Sequence, residues 1–152
     1  MHRDLKPENV FLSRLDQAEV VKIMDFGIAK ILRDSPDQTS DSRTATMAGT
    51  LRYMSPEQLR GCEVSPRWDL WALSVIAYEA LCGTIPFAGD SVSALEGAIR
   101  AVQFAPVSEH HSEAPASWQA SFERLFSTSE VERPASIEEF WEILQGCLQK
   151  ES

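Results

Sequence analysis

His2-Arg3-Asp4-Leu5-Lys6-Pro7-Glu8-Asn9 opens the chain with a carboxylate, an ammonium and an amide inside six positions, directly ahead of an apolar run. Phosphoryl transfer needs such a set: a carboxylate to orient a hydroxyl, a cation beside the moving phosphoryl, and an oxygen ligand for Mg²⁺. Sixteen residues beyond Asn9 comes Asp25-Phe26-Gly27, a second carboxylate followed by a residue at which the backbone can turn sharply. His2 or Asp-Phe-Gly alone would carry little weight. The residue types of the opening octet have no reason to recur together in a core.

Working outward, two short apolar runs, Val10 to Leu12 and Val20 to Met24, flank a polar turn and predict a β-hairpin. From Asp34 to Thr46 the sequence is rich in Ser, Thr and Asp with almost no apolar content, which predicts a mobile loop. Beyond it helices are expected. Ser55-Pro56-Glu57 has a capping Ser and a Pro at the first helical position, with Gly61 as the stop. Ser65-Pro66 repeats that start ahead of the apolar stretch Leu70 to Cys82, a helix buried on nearly all sides and too short to span a bilayer. Residues Ser91 to Val102 predict another helix, and Trp118, Phe122, Leu125 and Phe126 recur at helical spacing. Ser136 with Glu139 makes a capping box, and Ile137, Phe140, Trp141, Leu144 and Leu148 line one apolar stripe.

Composition sets the outer bounds. The 152 residues are 43% hydrophobic and 24% charged, an ordinary globular balance with enough length for one domain. Fourteen Lys and Arg against 23 Asp and Glu give a net charge of −9, which disfavours nucleic acid as a partner. The charge favours basic peptides, although a solvated acidic surface explains it equally well. Cys62, Cys82 and Cys147 are widely spaced and read as free buried thiols in a reducing compartment. With no signal-peptide pattern, a cytoplasmic location is expected, and no membrane contact within this segment. His110 and His111 lack a matching ligand pattern and read as surface residues.

The octet resembles the catalytic loop of serine/threonine protein kinases, and Asp25-Phe26-Gly27 resembles their metal-binding motif. Three further stretches follow in the family's order. Gly49-Thr50-Leu51-Arg52-Tyr53-Met54-Ser55-Pro56-Glu57 resembles the end of the activation segment. Trp68-Asp69-Leu70-Trp71-Ala72-Leu73-Ser74 resembles the start of the central buried helix, with Ser74 where a Gly is usual. Arg133 matches a late arginine. The wording Tyr53-Met54-Ser55-Pro56-Glu57-Gln58-Leu59 resembles bacterial kinases of this type. The resemblance implies that Asp4 orients the substrate hydroxyl, Lys6 steadies the γ-phosphate, and Asn9 and Asp25 hold Mg²⁺ between the phosphates of ATP. Phe11 would lie beneath the adenine ring, and Glu8 belongs to the same ATP-facing segment with a weak hint of basic residues near the target. Thr50 would contact Asp4 and Lys6. His2 and Phe26 would be structural, Asp69 would accept backbone N–H bonds from the catalytic loop, and Glu57 would pair with Arg133. Arg3 before Asp4 goes with control by phosphorylation, for which Thr44 and Thr46 are the candidate acceptors and Arg3 and Lys30 the candidate phosphate partners.

The fold implied is mainly α, the helical larger lobe of an α+β protein-kinase-like fold with a short hairpin. Residues 1–148 would form a partial catalytic domain, and residues 25–57 its activation segment. No Gly-x-Gly-x-x-Gly occurs in the 152 residues, and no Val-Ala-Ile-Lys-like strand precedes His2. The smaller lobe is therefore expected to be absent, the isolated chain to transfer little phosphate, and the hairpin floor to be an exposed apolar patch. The expected partners are ATP, a protein with Ser or Thr acceptors, and a smaller lobe or another kinase supplied by a longer chain. The alternative is a non-catalytic kinase-like lobe that acts as a docking or regulatory module.

Overall fold

The computed structural model describes residues 1–15, 18–24 and 49–148. A turn of 3-10 helix, Pro7–Asn9, leads into strand β1 (Val10–Leu15), which pairs antiparallel with β2 (Ala18–Ile23) in a two-stranded sheet. The register runs from Val10 opposite Ile23 to Leu15 opposite Ala18. Among the described residues, six complete α-helices follow: α1 (Pro56–Leu59), α2 (Arg67–Cys82), α3 (Val92–Arg100), α4 (Val107–His110), α5 (Ala116–Leu125) and α6 (Ile137–Leu148). This is the mainly helical, kinase-like architecture with a short hairpin that the motifs imply.

Local chemistry sets the helix ends. Ser55 Oγ accepts from Gln58 N–H at 3.1 Å to start α1, and Ser91 Oγ accepts from Ala94 N–H at 3.1 Å to start α3. Gly83 ends α2 in the left-handed region at φ 73°, where a Cβ would be strained. Arg60 and Arg100 cap each other's helices. The Arg100 guanidinium donates to Leu59 O at 2.7 Å, and that of Arg60 donates to Arg100 O at 3.4 Å. Before α3, a Cβ on Gly89 would collide with Leu95 N and lie 2.7 Å from the Ala94 carbonyl carbon, so the loop lies against that helix only without a side chain.

Helix α2 is the spine. Leu70, Trp71, Ala72, Ser74, Val75 and Tyr78 are buried, and the Ser74 hydroxyl is satisfied by Leu70 O at 2.8 Å. Around it the rings of Trp71, Tyr78, Phe87, Phe122 and Phe126 interlock at centroid separations of 4.9 to 6.3 Å. Truncating one of these buried rings to Ala is expected to cost about 3–5 kcal/mol.

Three expectations need correction. On α6 the buried face is Phe140, Ile143 and Cys147, while Ile137, Trp141 and Leu148 point to solvent. The apolar residues spread over nearly half the helix circumference, so periodicity alone does not show which part of that arc meets the core. The capping box is also displaced: Ser136 Oγ accepts from Glu139 N–H at 3.3 Å, but Glu139 reaches back to Ala135 N–H at 2.8 Å instead of Ser136. All three cysteines are free, yet Cys62 is exposed and Cys82 half-buried, leaving Cys147 as the buried one.

The hairpin has little cover. Phe11, Leu12, Val21, Ile23 and Met24 are all exposed, so apolar side chains emerge from both faces of the sheet. An isolated two-stranded sheet has marginal stability. Its inner end is tied down by Met24 N–H donating to Asn9 O at 2.9 Å. No described helix is long and apolar enough to cross a membrane.

Candidate active site

The site is built where the opening octet lies across the start of α2. Asp69, in the first turn of that helix, accepts from His2 N–H at 2.6 Å and from Arg3 N–H at 2.8 Å, one through each carboxylate oxygen. Those two bonds secure a bend. Arg3 has φ 71°, a left-handed conformation that costs a residue with a Cβ energy unless its surroundings hold it.

His2 fixes the other side of the bend. Its Nε2 lies 2.9 Å from Met24 O. A carbonyl only accepts, so Nε2 carries the hydrogen and Nδ1 is the acceptor that faces Asp4 N–H at 3.4 Å. The buried imidazole thus links the octet to the residue immediately before Asp25.

The bend delivers Asp4 into a connected polar set. Lys6 Nζ lies 3.3 Å from Asp4 Oδ2 and donates to Thr50 Oγ1 at 3.3 Å, across 44 residues of sequence. Asn9 is buried, and its amide nitrogen donates to Asp4 O at 2.8 Å while its backbone N–H closes on Lys6 O at 2.9 Å. With Nδ2 spent in this way, Oδ1 is the Asn9 atom left to act as a ligand. The Asp4 and Lys6 side chains are about one-fifth exposed, so the pair is partly desolvated yet reachable.

Beside this set a shallow open pocket is lined by Asp4, Thr50, Tyr53, Met54, Gln58 and Trp68. Its wall is anchored by Tyr53, whose hydroxyl donates to Glu79 Oε2 at 2.8 Å. Burial pushes the Tyr53 phenol well above its ordinary value, and acceptance by Glu79 pushes it further the same way. Neither residue stands out from its own motif. The signal was available in Glu79, a carboxylate inside an apolar helix, which requires a donor.

A second centre joins α1 to the segment before α6. Arg133 grips Glu57 through both guanidinium ends, at 2.8 and 3.0 Å, and its Nε donates to Ser127 O at 2.6 Å. The guanidinium carbon also lies 4.6 Å from the Trp71 ring centroid. Burial acts to raise the Glu57 carboxyl, but the hydrogen bonds and charge of Arg133, helped by Ser55, outweigh it and hold the group below its ordinary value.

The structure therefore brings together His2, Asp4, Lys6, Asn9, Thr50 and Asp69 at one centre, and Glu57 with Arg133 at another. Arg3 enters through its backbone, its side chain being exposed. Glu8 and Phe11 are exposed and join none of these hydrogen bonds. Asp25, Phe26, Lys30, Thr44 and Thr46, with the loop from Asp34 to Thr46, lie outside the described residues. Among the described residues, no group of three His, Cys, Asp or Glu side chains is placed to hold a metal ion.

The family described as protein kinase domain matches residues 1–152. The serine/threonine-protein kinase pkn3 of Myxococcus xanthus is 39% identical over 160 residues, covering 96% of this chain and 27% of that protein. A probable serine/threonine-protein kinase PknB of Lactococcus lactis is 46% identical over 95 residues, or 62% of this chain and 14% of that protein. The serine/threonine-protein kinase PknB of Mycobacterium leprae is 47% identical over 91 residues, or 60% of this chain and 14% of that protein. The chain thus spans well under a third of the length of these curated relatives.

Proposed function

The chain belongs to the protein kinase domain family, and from that premise we propose that it supplies the acceptor side and the metal ligands for transfer of the γ-phosphoryl of ATP to protein Ser or Thr hydroxyls. The observation that carries this reading is the connected set Asp4–Lys6–Thr50, with Asn9 fastened to the Asp4 carbonyl. A carboxylate held by a lysine can accept the proton of an incoming hydroxyl and orient its oxygen. Lys6, already bridging Asp4 to Thr50, is positioned to offset charge on the moving phosphoryl group. The shallow pocket beside Thr50 and Tyr53 would seat the acceptor peptide.

Asn9 Oδ1 fits a hard oxygen-seeking cation, and Asp25 is the second proposed ligand. Mg²⁺ typically takes one or two protein oxygens together with substrate phosphates. When bound it would neutralise charge between the phosphates. This chain's own residues do the rest: Asp69 and His2 set the bend, Asn9 ties the loop to Asp4, and Thr50 holds Lys6.

Residues 1–148 are proposed as the kinase-lobe unit, with 25–57 as its activation segment. Thr44 and Thr46 are the proposed phosphorylation sites there, with Arg3 and Lys30 as partners for the added charge. The 152 residues contain no Gly-x-Gly-x-x-Gly to cover ATP, so this stretch by itself is expected to transfer little phosphate. The exposed hairpin residues Phe11, Leu12, Val21, Ile23 and Met24 support a covering partner, either a smaller lobe or another kinase. They also favour the second reading, a docking module without catalysis. Phosphoamino-acid analysis after incubating the whole protein with labelled Mg·ATP and a basic acceptor protein separates the two. Label on Ser or Thr that disappears with Lys6→Ala supports catalysis. Label on Tyr, or none, refutes it.

A further inference from the structure

The outward face of α6 is unpartnered. Ile137, Trp141 and Leu148 are 51%, 49% and 52% exposed, and at a rotation of 100° per residue they fall on one stripe with the half-buried Leu144. The inward face is separately occupied by Phe140, Ile143 and Cys147, so this stripe is surplus to the core. Glu138 and Glu142, both exposed and one turn apart, run along one edge of it. From Glu130 to Leu148 there are five glutamates and a single cation, Arg133, which is buried and committed to Glu57. Val131, at 82% exposure, adds an apolar residue in the short 3-10 turn that precedes the helix.

We propose that this face docks a basic amphipathic helix of a partner protein, with apolar side chains at helical spacing over Trp141 and Lys or Arg beside Glu138 and Glu142. The charge argues for this occupant against a second copy of the chain. Two such faces brought together would set glutamate rows against each other, with no cation on α6 to separate them. A basic helix instead neutralises the acidic edge as its apolar side covers the stripe. The proposal is independent of whether the chain transfers phosphate.

The test uses the full chain and an 18-residue fluorescent peptide built only of Leu and Lys at helical spacing, read by anisotropy. A control peptide has Glu in place of every Lys. Ile137, Trp141, Glu138 and Glu142 are exposed, so their substitution should leave the circular dichroism of the chain unchanged, with only a small fall in melting for Glu138→Lys, which loses a first-turn contact with Ser136. The Lys peptide is expected to bind, at least tenfold more weakly to Trp141→Ser and to Glu138→Lys/Glu142→Lys, and more weakly as salt rises. Glu63→Lys/Glu109→Lys, the same charge change at exposed positions off this helix, should leave binding unchanged. Equal binding of the Glu peptide would overturn the proposal. So would an equal loss in the Glu63→Lys/Glu109→Lys control, since that would mark attraction to net charge alone. Concentration-dependent dimers in sedimentation that vanish with Trp141→Ser would assign the face to a second copy instead.

Discussion

Replacing Arg133 by Met removes a guanidinium that makes two bonds to Glu57, one to Ser127 O and a ring contact with Trp71. The side chains of Arg133 and Glu57 are 4% and 11% exposed, so the carboxylate left behind has little access to water. Breaking a buried pair by deleting one partner costs about 3–5 kcal/mol, most of it the stranded charge. Against a total stability of about 5–15 kcal/mol for a domain, that is about a fifth or more. With a urea dependence of about 2 kcal/mol per molar, the unfolding midpoint should fall by about 2 M. The double variant Arg133→Met/Glu57→Gln should recover part of the loss, with a coupling of about 1–3 kcal/mol. The pH dependence gives a second reading. Glu57 is held below its ordinary value of 4.5, so in the native chain its contribution is complete above that pH and is lost as pH falls through the lower folded value. In Arg133→Met burial, the largest influence on this carboxyl, is opposed only by Ser55 and the Glu57 backbone N–H and raises it, so the variant loses stability as pH climbs above 4.5. The gap between the two proteins should therefore widen from acid to neutral pH. A loss under about 1 kcal/mol with a pH-independent gap would show a solvated pair and refute the reasoning.

Other perturbations test separate parts of the account. Gly89→Ala drives a Cβ into the backbone of Ala94 and Leu95 and should cost about 1–3 kcal/mol in urea unfolding, whereas Gly97→Ala, with open space around it, should not destabilise. Asp69→Asn leaves one acceptor for two N–H groups and should cost about 1–3 kcal/mol, with loss of phosphate transfer as the bend at Arg3 relaxes; an unchanged rate would remove Asp69 from the positioning set. Thr50→Val deletes the Lys6 acceptor and should slow transfer by about 10- to 100-fold, with Thr50→Ser restoring it.

The motifs were legible where one short segment carries several chemical types, as in residues 2–9. The hairpin and the starts of α1 and α3 were legible because capping Ser and turn residues act locally. What connects distant segments was less so. The Glu57–Arg133 pair spans 76 residues and followed from the resemblance, since neither residue has a local pattern to announce it. For the Tyr53–Glu79 bond, Glu79 as a carboxylate in an apolar helix signals the need for a donor but does not say which distant residue supplies it. The apolar stripe of α6 was legible as a stripe, but helical spacing gives the period of a face and not which part of it meets the core. Ser136 identified the start of that helix, yet the backbone before it decided that Glu139 reaches Ala135.

The central claim is that Asp4 activates the acceptor hydroxyl, and the most direct measurement is the single-turnover rate of γ-phosphoryl transfer from Mg·ATP in the whole protein, native against Asp4→Asn. Asparagine preserves shape but cannot take a proton. The expected result is a fall of about 10²- to 10⁴-fold with unfolding stability and ATP affinity little changed. An Asp4→Asn protein that transfers phosphate at the native rate would contradict it.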